Sequence, residues 1–71
     1  MTQEIVVDTG HEKKLFIVKE SGGHLYIYKY GDLGDSQIGQ ASNMKDAIHR
    51  IEAYVESKGH KVRIVKIGRR S

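Results

Sequence analysis

From Lys14 to Tyr30 the chain sets apolar, β-branched and aromatic runs between short polar turns. LFIVKE and HLYIYKY flank a Ser-Gly-Gly stretch at residues 21–23. This pattern predicts a β-hairpin in which Gly22 and Gly23 supply the positive φ of the turn. In HLYIYKY the two-residue period of a strand puts Tyr26, Tyr28 and Tyr30 on one side and Leu25 and Ile27 on the other.

Hairpin register decides what the tyrosines meet. A three-residue loop at 21–23 sets Glu20 opposite His24, Ile17 opposite Ile27 and Phe16 opposite Tyr28. Leu15, Ile17, Leu25 and Ile27 then form one aliphatic face. Phe16, Val18, Tyr26 and Tyr28 form the other, with Tyr30 beyond. A two-residue loop mixes these sets and puts Ile17 opposite Tyr28. Because a slip of one residue sends every side chain to the other face, the register with two uniform faces is the expected one.

EIVVD (4–8) is short, apolar and β-branched, and reads as a strand or extended arm, followed by a polar turn, TGHEKK. GDLGD (31–35) is a turn-rich connection. SQIGQA is a weak strand in which Gly39 marks a bulge or a close approach. A helix follows, capped by Ser42 or Asn43, with Asp46 suited to its dipole. Met44, Ala47, Ile48, Ile51, Tyr54 and Val55 make one buried stripe, and Gly59 ends the helix. HKVRIVKIG is a last strand.

The expected fold is therefore α+β: a small, mostly antiparallel sheet of 4–5 strands with one helix packed on one face, in the order β-β-β-β-α-β. The chain is one domain, 1–71, with flexible ends at 1–3 and 68–71. Nothing in the sequence covers the second face of the sheet.

Seventy-one residues leave no room for a second core. A domain of this size buries only about 60% of its unfolded surface, so self-association is a natural source of extra stability. There is no cysteine, which excludes disulfides and thiolate metal sites. The first residues lack the pattern of a signal peptide, and no apolar run approaches the ~20 residues that span a bilayer; a cytoplasmic protein is expected. Charge is uneven. Up to Asp35 there are four basic and six acidic residues; from Ser36 onward, eight basic and three acidic. The last twelve residues hold Lys61, Arg63, Lys66, Arg69 and Arg70 and no acid, a mild pointer to an anionic partner.

The search for catalytic chemistry yields little. His11, His24, His49 and His60 lie far apart in sequence, and no pair has metal-ligand spacing on one element. HEKKL has Leu15 where the zincin motif places its second histidine. GDSQ (34–37) is similar to the opening of an esterase family built on a much longer chain, so Asp35 and Ser36 read as turn residues. Asp32 and Asp35 lack the spacing of a calcium loop. No enzyme, metal, cofactor or small-molecule substrate is expected.

The tyrosine row has two readings. In the first, Phe16, Val18, Tyr26, Tyr28 and Tyr30 form a protein interface, with a homodimer as the default. In the second, Phe16, Tyr26 and Tyr28 stack on the bases of a single-stranded nucleic acid. Lys29, Lys61, Arg63, Lys66, Arg69 and Arg70 would then contact its phosphates.

LFIVKE, SGG, LYIYKYGDLGD, SQIGQA and SNMKDAIHRIEAYVE together resemble the HicB-type antitoxin domain over most of residues 15–56. The proline of that family's turn is absent, and no DNA-binding helix or arm follows. The resemblance implies a partner-binding domain that works through oligomer contacts.

Overall fold

The computed structural model describes residues 2–31 and 36–69. Five strands and one helix follow in the order β1 (Thr2–Asp8), β2 (Lys13–Ser21), β3 (His24–Lys29), β4 (Ser36–Ala41), α1 (Met44–Glu56) and β5 (Arg63–Arg69). This is the small α+β fold expected, with all neighbouring strands antiparallel in the spatial order β4-β3-β2-β1-β5. The first four strands form a meander. The chain then crosses from one edge of the sheet to the other by way of α1. The sheet takes in Thr2, Gln3, Gly68 and Arg69, which the sequence assigned to loose ends. The turn expected from the sequence at 31–35 falls largely, at residues 32–35, outside the described residues, as does Arg70.

The hairpin register differs from the expected one. Ser21 pairs with His24, Val18 with Ile27 and Ile17 with Tyr28, so the loop is Gly22-Gly23 alone. Both glycines have positive φ, 59° and 81°, which is the requirement of a type I′ turn. That turn matches the right-handed twist of its flanking strands, and its geometry fixes the pairing. Consequently Phe16 and Val18 face the helix, and Ile17 shares the opposite face with Tyr28.

The core lies between sheet and helix. Ile5 and Val7 of β1, Phe16 and Val18 of β2, Ile27 of β3 and Ala41 of β4 meet Ala47, Ile51 and Val55 of α1, all buried. Met44, Ile48 and Tyr54 pack at the margins, so the stripe read from the sequence is the one the helix buries. Phe16 meets Tyr54 edge to face, with ring centroids 6.0 Å apart. Of the two proposed caps, Asn43 is the N-cap: its Oδ1 accepts from the Asp46 amide at 2.8 Å. Asp46 in turn accepts from Arg50 Nε at 3.2 Å. Past the Ser57 C-cap the chain reverses at Gly59, φ 79°.

Two bulges shape the edges. Between Ile27↔Gly39 and Tyr28↔Gln37, Ile38 is the extra residue of β4. Between Val6↔Lys66 and Val7↔Ile64, Val65 is the extra residue of β5. Gly39 therefore sits beside a bulge, and open space surrounds the position of its missing side chain. No helix among the described residues is long and apolar enough to cross a membrane.

Candidate interaction face

Cross-strand partners share a face, so the pairing defines which side chains point away from the helix. They are Thr2, Glu4, Val6 and Asp8 of β1, Lys13, Leu15, Ile17, Lys19 and Ser21 of β2, and His24, Tyr26 and Tyr28 of β3. Gln40 and Gln37 continue the face onto β4 opposite the two tyrosines, and Lys66 and Arg63 continue it onto β5 opposite Val6 and Asp8. No described segment of the chain packs over this face. It has an apolar centre (Val6, Leu15, Ile17, Tyr26 and Tyr28) and a rim of both charges.

Ile17 is the unusual member. It is fully buried, yet it stands outside the cluster that packs on the helix. On its own face, Glu4 and Tyr28 are its paired neighbours, and Leu15 and Lys19 flank it along β2. Lys19 Nζ stands 4.9 Å from the centroid of the Tyr28 ring, a cation–π contact that lays the lysine stem across the sheet. Tyr26 and Tyr28 are themselves half-buried by such side-by-side contacts.

The residues proposed from sequence thus divide. Tyr26 and Tyr28 lie on the open face as expected. Phe16 and Val18 do not, because the two-residue turn rotates them into the core, where they are 0% and 2% exposed. Tyr30 lies past the last paired residue of β3, is 52% exposed, and donates its backbone N–H to the Leu15 carbonyl at 3.0 Å. Among the cations, Arg63 and Lys66 share the open face. Lys29 is paired with Phe16 and Arg69 with Gln3, so both point to the helix side. Lys61 is exposed, ahead of β5. The tyrosines and the Arg63–Lys66 edge are separated by β2 and β1, three strand spacings or roughly 14 Å. The ion pairs among the described residues join Glu12 to Lys14 and Asp46 to Arg50, both at 3.2 Å. Arg63, Lys66 and Arg69 enter neither.

Sequence reasoning missed the members contributed by β1 and β2: Glu4, Val6, Leu15, Ile17 and Lys19. Their signal was the Gly-Gly pair itself, which favours a two-residue turn over a three-residue one.

Two recesses among the described residues bear on function. One, of about 280 Å³, lies at the N-terminal end of α1 and is lined by Gln3, Val18, Leu25 and Met44 among others. The other, of about 340 Å³, lies between the β1–β2 turn and the α1–β5 connection, where His11 and His60 line it. Among the described residues, no buried side-chain nitrogen or oxygen lacks a hydrogen-bond partner. No protein-family model, curated protein or solved structure matches the chain, so the antitoxin resemblance gains no support.

Proposed function

We propose that this protein is a non-enzymatic interaction domain that pairs with a second copy of itself through the sheet face opposite the helix. The observation that carries the reading is the apolar centre formed by Val6, Leu15, Ile17, Tyr26 and Tyr28, over which no described residue packs. Charge favours a like partner. Glu4 and Asp8 on the same face as Lys19, Arg63 and Lys66 give a rim of both signs, and a two-fold pairing can oppose unlike charges. The edge of β5 is a poorer site for self-pairing. An antiparallel pair centred on Lys66 sets lysine against lysine and Arg63 against Arg69, and like charges directly opposite destabilise a sheet.

Size sets the strength. Five strands about 4.8 Å apart and roughly 23 Å long give on the order of 500 Å² of projected face. That corresponds to the low end of specific interfaces, so the dimer exchanges with monomer at micromolar concentrations. Sedimentation velocity across that range tests this directly. Wild type shifts from monomer toward dimer, whereas Tyr28→Glu stays monomeric while keeping its circular dichroism. A wild type that remains monomeric at millimolar concentration contradicts the reading.

A second reading, single-stranded nucleic-acid binding, draws on Tyr26 and Tyr28 sharing a face with Lys19, Arg63 and Lys66. It has lost Phe16 to the core, and Lys29 and Arg69 to the other side of the sheet. Titration with short single-stranded DNA and RNA at about 50 and 200 mM salt decides it, since phosphate contacts weaken steeply over that range. Salt-sensitive amide shifts on β2, β3 and β5 put this reading first; their absence at low salt removes it.

A further inference from the structure

His11 and His60 lie far apart in sequence, and the fold brings them together, with ring centroids 6.2 Å apart and planes at 70°. Each stands on a turn held by hydrogen bonds. In the β1–β2 turn, Thr9 is the buried polar residue. Its amide and its Oγ1 both donate to the Glu12 carbonyl, at 3.0 and 3.1 Å. Its Oγ1 also accepts from the amides of His11 and Glu12, at 3.4 and 3.3 Å. Gly10, at φ 90°, donates to Asp8 Oδ1 at 2.8 Å. On the other side, His60 directly follows Gly59, whose amide donates to the Glu56 carbonyl at 2.9 Å as the helix ends. Two imidazoles on separate, hydrogen-bonded turns therefore line one recess.

We propose that His11 and His60 form a site for a divalent transition-metal ion of the zinc–nickel–copper group, clipping the β1–β2 turn to the α1–β5 connection. Imidazole suits these ions, whereas magnesium and calcium prefer oxygen ligands. The geometry is close. Two metal–nitrogen bonds of about 2.0 Å at a tetrahedral angle place ring centres about 5 Å apart. The observed centroid separation of 6.2 Å is about 1 Å longer than that, and His11 is exposed, so its ring has room to turn toward a shared ion. Among the described residues no third histidine or carboxylate completes a cluster, so water or a donor from another molecule fills the remaining positions. This is an open, exchangeable site rather than a closed structural one. Lys61 lines the same recess, and its charge opposes the ion.

The test is thermal unfolding of the whole chain with Zn²⁺, Ni²⁺ or Mg²⁺ and after chelation. An ion that binds the folded form alone raises Tm. Zn²⁺ and Ni²⁺ raise the wild-type Tm, chelator reverses the shift, and Mg²⁺ has no effect. His11→Ala and His60→Ala each weaken binding at least about tenfold, while His24→Ala and His49→Ala bind as wild type. Lys61→Glu, which replaces a repelling charge with a ligand, tightens it. Should His60→Ala prove unstable, ring-proton NMR of the wild type reads the same site, with the His11 and His60 signals moving together. A Tm shift that survives both substitutions, or none with either ion, overturns the proposal.

Discussion

Phe16 and Ile17 are adjacent, both fully buried, and differ in what buries them. Phe16 is enclosed by the helix side of the core and by the Tyr54 ring, so Phe16→Ala leaves a cavity there and costs about 3–5 kcal/mol, measurable by urea unfolding. Ile17 is neighboured by Glu4, Leu15, Lys19 and Tyr28 on the face away from the helix, where such flexible side chains can close over the gap. Ile17→Ala costs less, about 2 kcal/mol in the monomer, and on the proposed self-pairing it also weakens association. Equal losses at the two positions would show that the faces are misassigned. Residue by residue, the tyrosines were legible because HLYIYKY alternates cleanly. The run Leu15-Phe16-Ile17-Val18 does not alternate, so it carries no signal for which pair faces the core.

At the scale of elements, the helix was the most legible. Its period, its Asn43 cap and the nearby glycine agree, and local rules suffice to place it. The hairpin was legible as a hairpin, but its register depended on one residue of loop length. Gly22 and Gly23 carry that choice. Gly23→Val puts a β-branched side chain at φ 81° and destabilises by more than 1 kcal/mol, although open space surrounds the position. The strain is in the backbone, and a d-alanine at the same site relieves it. If Gly23→Val unfolds at the wild-type urea concentration, the two-residue turn is not the one present. β5 presents a different problem. Val65 and Ile67, 42% and 49% exposed, lie on an unpaired edge, and Lys66 and the two arginines keep that edge from pairing with copies of itself. Lys66→Val removes one of these guards, and light scattering then detects faster aggregation with no loss of Tm.

For the whole molecule, what the sequence could not reveal was the strand order. The expected order of elements is correct, but it does not say that β5 returns beside β1, placing the N-terminal strand inside the sheet rather than at its edge. Such pairing joins residues more than fifty apart, beyond the reach of local periodicity. The same holds for the histidine pair, which only the return of the chain after α1 assembles. The helix covers one face, and among the described residues no element packs over the other. For a domain this small, burying that face against a second copy, as proposed, would add stability that a single core cannot supply.

The most direct measurement is an isotope-filtered NOE experiment on an equal mixture of labelled and unlabelled protein at millimolar concentration. Intermolecular contacts from the Tyr26 and Tyr28 rings to the methyl groups of Val6, Leu15 and Ile17 are the predicted result. Intermolecular contacts arising instead at Val65 and Ile67, or none at all, would contradict it.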